Sequence, residues 1–232
     1  MTSPDTRTRI LDAAVELIAR DGYDGVRLAE IAKRAGASTA LLHYHFANRP
    51  QLLAAAITHS LDRERARAER RAHDQERSSP AERVADQIDF WLPISPDDVR
   101  EWLLWSELEG RAVRDTDLAA ALTGLYARLR EPLVAAIAMG VSTGEFGPCD
   151  PEEAAAVAHA LLGGMTVRLL ARDPGLTLPA ARDLAGRQVA LTVGYAGRLP
   201  FADREVPTHV PDPGLEPAPP RRRAARTPRP GA

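Results

Sequence analysis

Apolar residues recur along the chain at intervals of three and four, and glycine and proline fall mostly between the repeating stretches rather than inside them. Alternation of β-branched and aromatic residues is scarce, so the pattern predicts helices throughout and an all-α fold. In the first stretch Ile10, Leu11, Ala14, Leu17 and Ile18 form one stripe, and Gly22 stands where a left-handed residue would stop the helix. Proline follows a capping residue in Ser3-Pro4, Ser79-Pro80, Ser95-Pro96 and Asp150-Pro151, at the first helical position, where its missing N–H costs nothing. Glu82, Asp98 and Glu153 turn the last three into capping boxes. These signals predict nine helices at about 4–21, 28–35, 39–46, 49–77, 80–92, 96–110, 116–143, 151–172 and 178–197.

The second and third segments are shorter than the roughly 12 residues at which a helix holds alone, so they must pack on the first and on the start of the fourth. The stretch 28–46, LAEIAKRAGASTALLHYHF, has the layout of a helix-turn-helix. Leu28, Ile31 and Ala35 make the inner face of its first helix, Ala32 is small where the helices cross, Gly36 supplies the positive φ of the turn, and Ser38 caps the second helix. Leu42 and Phe46 point back to the core. Thr39, Ala40, Leu41, His43, Tyr44 and His45 remain on or near the outer face, which in such a unit lies in the DNA major groove. Thr39 can bond a base edge or phosphate, Ala40 and Leu41 can touch a thymine methyl, and His43, Tyr44 and Arg49 can bind phosphates. The plainer alternative is a helical hairpin in an all-α core. A metal shared by His43 and His45 is not expected, because residues two apart on a helix do not face each other, and no other metal or cofactor site is expected.

Charge limits how such a unit could bind. The chain carries 30 Lys+Arg against 32 Asp+Glu, net −2, which excludes a broadly basic nucleic-acid binder and leaves only a local patch. Residues 1–50 hold seven basic and six acidic residues, so affinity would come from two copies rather than one. Cys149 is the only cysteine, which excludes an internal disulfide or a CxxC pair. There is no run of 18 apolar residues and no signal-peptide order at the start, so a cytoplasmic protein without a membrane span is expected. Segment 62–77, with eleven charges of mixed sign, reads as a solvated helix extension. Residues 200–232 hold nine prolines and end in Arg221, Arg222, Arg223, Arg226 and Arg229, which predicts a disordered tail. The tail is either a floppy end or a source of sequence-independent DNA affinity. The expected organisation is a helix-turn-helix domain over 1–50, a second helical domain over 51–199, and the tail.

The second domain contains Phe90, Trp91, Trp102, Trp105 and Tyr126, with Trp102, Trp105 and Glu109 on one helical face. Large aromatics beside few polar groups suit a small-ligand cavity, and equally suit a plain core. In a cavity, Glu107 or Glu109 beside indole rings would favour a cationic ligand. The last two helices carry the expected dimer interface, with Leu161, Leu162, Gly163, Val167, Leu170, Leu184 and Leu191 available to a partner.

Ile10 to Ala14, Gly22-Tyr23, Ile31-Ala32, Ala35 to Ser38, Leu42 to Phe46, Asn48-Arg49 and Leu52-Leu53 together resemble the N-terminal domain of the TetR family of bacterial transcriptional regulators. Residues 95–197 are similar to the C-terminal domain of the choline-responsive betaine-operon repressor subgroup. The resemblance implies a homodimer that binds a palindromic double-stranded DNA operator and is released by a small-molecule effector. The family often has Thr or Ser where Arg27 stands; Arg27 keeps a phosphate contact but cannot cap the helix. Ser38, at the start of the second helix, is counted with the DNA-binding residues. The family's common Thr-Leu-Tyr is Leu41-Leu42-His43, its later Tyr is His45, and Arg49 keeps the charge of its usual lysine. Against this stand an all-α enzyme, for which His159 and Cys149 are too isolated to form a catalytic pair, and an all-α protein-interaction adaptor without DNA binding.

Overall fold

The computed structural model describes residues 5–22, 25–73, 78–203 and 205–214. Among the described residues there are nine helices and no strand: α1 (Thr6–Asp21), α2 (Leu28–Arg34), α3 (Thr39–His45), α4 (Arg49–His73), α5 (Pro80–Phe90), α6 (Pro96–Ala112), α7 (Thr116–Thr143), α8 (Pro151–Leu170) and α9 (Leu178–Thr192). The expected start at Ser3-Pro4 and the expected last turn of α4, 74–77, lie outside the described residues. Several helices end one or more residues short of the expected bounds, α5 and α9 for identifiable local reasons. α5 ends at Phe90, with Trp91 as its cap, because Leu92 precedes Pro93 and is barred from helical geometry. α9 ends at Thr192 because Gly194, with φ +62°, stops the chain before Gly197 can.

Local chemistry starts the helices as expected. Ser79 and Glu82 exchange bonds (Glu82 N to Ser79 Oγ 3.2 Å, Ser79 N to Glu82 Oε2 2.7 Å), and Ser95 and Asp98 do the same at 3.2 and 2.8 Å. At Asp150 the carboxylate accepts from the amides of Glu152 and Glu153 at 2.9 and 3.4 Å, but the Glu153 side chain does not return a bond to the Asp150 amide, so the third expected capping box is only a one-sided cap.

α1 is the hub of the N-terminal unit and packs on α2, α3, α4 and α6. Its stripe of Ile10, Leu11, Ala14, Leu17 and Ile18 is buried with Ile31, Leu42, Phe46, Leu52 and Leu53. In the second unit α7 packs on α5, α6 and α8, and α9 covers α8 and α5. Two polar links pin this unit internally. Thr166 donates its buried hydroxyl to Trp91 O (3.0 Å), and Arg182 of α9 grips Asp89 of α5 with two bonds of 2.7 Å. A polar junction joins the units. Asp12 of α1 accepts from His59 Nε2 and Arg63 of α4, both at 2.8 Å, and Ser60 donates to Glu101 of α6 at 3.0 Å.

Sequence pattern assigns everything after residue 199 to a patternless tail, but the described part of that tail is laid over the body as a strap. Leu199 and Val210 are buried, and Phe201 sits under the Arg182 guanidinium (4.3 Å). Phe201 lies where a Cβ on Gly186 would stand (2.7 Å), so a side chain at that point of α9 would displace the ring. The chain then runs back to the start of α9, where Leu178 N donates to Thr208 O (3.1 Å), and on to α6, where Arg100 donates to Pro213 O. Residues 215–232 lie outside the described residues. α8 is long and apolar enough to cross a membrane by composition, but one face of it, from Ala154 to Leu169, is buried within the body as in a core helix.

Candidate functional site

Two groups of residues stand out, one on the N-terminal unit and one in the second unit. In the first, Gly36 has φ +64°, its amide bonds Lys33 O, and Ala37 N reaches Ala32 O at 2.8 Å, which closes α2 in a Schellman turn. Ser38 Oγ then accepts from Leu41 N (3.1 Å) and starts α3. Ile31, Ala32, Ala35, Leu42 and Phe46 are buried as predicted. Arg9 fixes the turn from α1 by donating to Ala35 O (3.2 Å), and Arg34 pairs with Glu16.

This rigid inner face leaves the other side of α3 to solvent. Arg27, Ser38, Thr39, Ala40, Leu41, His43 and Tyr44 are all exposed, and His45 and Arg49 partly so. Tyr44 is 83% exposed although tyrosine is among the larger apolar side chains, and its ring meets the edge of His45 at 5.3 Å. Arg27 makes no side-chain cap to α2 and its guanidinium remains at the surface. Asn48 Oδ1 accepts from Gln51 N (2.9 Å) at the start of α4, which sets Arg49 at the edge of the same surface.

The second group is an aromatic cluster between α5, α6, α7 and α8. Trp91 lies 5.7 Å from Trp102 and 4.3 Å from His159, Tyr126 lies 5.4 Å from Trp105 and 5.5 Å from His159, and Phe90 stands edge-on to Trp91 at 5.7 Å. Glu109 Oε1 accepts from both Trp105 Nε1 and the Tyr126 hydroxyl, each at 2.7 Å. Burial, reinforced by that carboxylate, holds the Tyr126 phenol well above its ordinary range, so it stays a donor. The six residues expected to line a pocket are therefore brought together. Glu107 is not among them: it faces Gly22 and lines a separate polar cleft with Arg111, Arg114 and Asp115.

Sequence reasoning missed two members of this group. His159, read as an isolated core histidine, stacks on Trp91 and Tyr126 from α8. Arg130 lies one turn beyond Tyr126, in the buried stripe of Leu122, Leu133 and Ile137, and its Nε is buried without a hydrogen-bond partner. A charge inside an apolar stripe was the signal for Arg130; His159 gave none, because its neighbours come from other helices. Burial, then the Arg130 charge, pulls the His159 pKa from 6.5 down to about 4.

Two predictions arise here. His159 is neutral in the folded protein, while an unfolded chain would take up a proton near pH 6.5. Its contribution to stability is therefore present above that value and lost as pH falls from 6.5 toward 4. Thermal melts are expected to drop over this window less steeply in His159→Gln than in the parent, and parallel curves would refute the assignment. Arg130→Met is expected to raise stability by about 1 kcal/mol in the absence of ligand, because it removes a buried Nε that has no hydrogen-bond partner and keeps the apolar stem. A lower melting point would show that Arg130 is held by the fold.

Cys149 is partly buried, and burial with the adjacent Asp150 raises its thiol pKa, so it is not an activated nucleophile. Among the described residues no group of three or more His, Cys, Asp or Glu could hold a metal ion.

On the expected dimer face the structure makes one correction. Leu162 is fully buried inside its own chain, because it continues the inner stripe of Ala155, Ala158, Met165 and Leu169. Val167 and Leu191 are exposed, as is Val157, while Leu161, Gly163, Leu170 and Leu184 are partly so.

Comparison with known proteins agrees with this geometry. Residues 10–56 match the bacterial regulatory proteins of the tetR family, and residues 80–194 match the C-terminal domain of BetI-type transcriptional repressors. The chain is 31% identical over 198 residues to the HTH-type transcriptional regulator BetI of Rhizobium meliloti, covering 83% of this chain and 88% of that protein. Among solved structures, a TetR-family regulator from Rhodococcus sp. superposes with a TM-score of 0.73 at 29% identity, covering 81% of this chain and 98% of that one. A transcriptional regulator from Saccharomonospora viridis in complex with choline does so with a TM-score of 0.71 at 26% identity, covering 79% and 94%. With its helix-turn-helix, helical second unit and matching relatives, the chain belongs to the TetR family of bacterial transcriptional regulators and carries a BetI-type repressor C-terminal domain.

Proposed function

We propose that this DNA-binding regulator represses by occupying a palindromic operator as a homodimer, and that a small-molecule effector in the aromatic cluster releases it. The observation that carries the reading is α3, whose inner face is locked by Leu42 and Phe46 while Thr39, Ala40, Leu41, His43 and Tyr44 stand free. A head with seven basic and six acidic residues binds weakly alone, so two linked heads on matching half-sites supply the affinity. Exposed Val157 and Val167 of α8 and Leu191 of α9 support a partner docking on these helices.

For the effector, the Trp and Tyr rings with the Glu109 carboxylate favour a small organic cation, and the choline complex of the Saccharomonospora relative supports that class. The route from cluster to head is short. Trp102, Trp105 and Glu109 lie on α6, which packs on α1 and is bonded to α4 through Glu101 and Ser60. A ligand that shifts α6 therefore changes the angle at which each head is held, and two heads must fit one operator at once.

The test combines sedimentation, an electrophoretic shift with DNA from upstream of the protein's own coding region, and tryptophan fluorescence. A dimer that shifts this DNA, and is both released and quenched by choline or a related amine, is expected. A monomer at micromolar concentration would overturn the dimeric reading, and failure to bind DNA would favour the adaptor.

A further inference from the structure

We propose that the effector is a small zwitterion, its ammonium end held by the aromatic rings and Glu109 and its carboxylate end by Arg130. The proposal rests on the effector reading above and deepens it by assigning a second charge to the ligand.

Opposite charges drawn into the same part of a helical body gain by pairing, because each has given up water to be there. Around the aromatic cluster they stay apart. Glu109 is turned toward Trp105 and Tyr126, whose N–H and hydroxyl both donate to its Oε1. Among the described residues no cation pairs with this carboxylate, and its second oxygen is left for another partner. Arg130 has the complementary need. Its Nε is buried without a hydrogen-bond partner, and among the described residues no carboxylate pairs with its guanidinium. Arg182 in the same unit shows the contrast, since it takes both oxygens of Asp89. Arg130 stands in the buried stripe of Leu122, Leu133 and Ile137, where a leucine would pack at no electrostatic cost. The free protein carries that cost, and a carboxylate from outside would relieve it.

Both charges address the same rings. Tyr126, the partner of Glu109, and Arg130 are four residues apart on one face of α7, about 6 Å along its axis. His159 of α8 connects them: its ring lies 5.5 Å from that of Tyr126 and 4.3 Å from that of Trp91, and it feels the Arg130 charge. Because burial and that charge keep His159 neutral, it adds no second positive charge to the cluster. Arg128 is exposed, and Arg111 belongs to the separate polar cleft. The three tryptophans are buried, whereas Glu109, Tyr126, Arg130 and His159 are each partly exposed, so the polar groups remain open to a solute. A simple cation would satisfy the rings and Glu109 and leave Arg130 as it is. A simple anion would do the reverse. A molecule with an ammonium group and a carboxylate up to about one helical turn apart serves both, and the planar guanidinium matches the two carboxylate oxygens.

Three series of compounds test this on the full chain. Trimethylammonium carboxylates with about one to four methylenes between the charged groups are compared with the alcohols of matching length, choline being the shortest, and with alkanoates that lack the ammonium. Tryptophan fluorescence reads binding, and the electrophoretic shift reads release from the upstream fragment. The same titrations are made with Arg130→Met and Arg130→Lys after thermal melts show that each is folded. At the best length the parent is expected to bind the carboxylate about tenfold or more tighter than the alcohol. Arg130→Met is expected to cut that ratio at least about tenfold, and Arg130→Lys, which keeps the charge but not the fork, to recover part of it. No preference for the carboxylate at any length in the parent, or the same ratio in parent and Arg130→Met, would overturn the proposal. The cation reading then stands if the alcohols still quench and release. Alkanoates that bind as tightly as the zwitterions, or silence from all three series, would overturn both. The parent titrations decide the preference even where a variant is too unstable to use.

Discussion

Tyr44→Ala is expected to weaken operator binding by about a hundredfold and to leave the melting temperature unchanged. The ring is 83% exposed and meets only the edge of His45 among the described ring contacts, so the fold gains little from it. Its removal should fall in the ±0.5 kcal/mol range of surface substitutions. Facing DNA, the hydroxyl would donate to a charged phosphate oxygen, an interaction of about 1.5 kcal/mol or more. The homodimer proposed above presents it twice, which gives about 3 kcal/mol, or two powers of ten in affinity. Leu42→Ala provides the contrast. Leu42 is buried, and truncating it should cost about 2 to 5 kcal/mol of stability, so DNA binding would be lost together with the fold. Anisotropy with the operator and a thermal melt on the same samples distinguish the two. Unchanged affinity in Tyr44→Ala would remove the outer face of α3 from the interface.

The largest effect on stability is expected at Asp89. Its carboxylate receives Arg182 Nε and a terminal nitrogen at 2.7 Å each, with the two side chains only 9% and 15% exposed. The pair itself adds little net stability, since both charges lost their water to form it. Asp89→Ala, however, leaves the guanidinium buried without its anion, at a cost of about 3 to 5 kcal/mol. For a chain of this size that corresponds to a fall of about 10 °C in melting temperature. Arg182 also holds Phe201 and Ala202 O, so the strap should loosen in the same variant and become sensitive to protease near residue 201. Replacing both partners, Asp89→Leu with Arg182→Met, is expected to recover most of the loss. A double variant as unstable as the single one would show that the pair is not the cause.

The helix-turn-helix was legible because its constraints are local. A three-and-four spacing decides which side of α3 is buried, one glycine decides the turn, and Ser38 decides where the next helix starts. The aromatic cluster was legible only within a helix. Trp102, Trp105 and Glu109 share a face of α6, but that His159 closes the group depends on how α8 crosses α5, which no spacing encodes. The same limit explains Leu162, which is turned about 100° around α8 from Leu161 and so falls on the inner stripe while Leu161 stays partly exposed. The strap was invisible for another reason. An extended segment is held by isolated side chains, here Phe201 and Val210, and by its carbonyls, so it has no periodicity to read and its prolines suggest only a patternless end.

The junction at Asp12 bears on how firmly α1 is tied to α4. One carboxylate of α1 serves His59 and Arg63, which stand four residues, and so about 6 Å, apart along α4. Both donors reach the same oxygen at 2.8 Å, so losing either one leaves the carboxylate paired with the other. The tie between α1 and α4 therefore survives a side-chain change that would sever a link made by one bond.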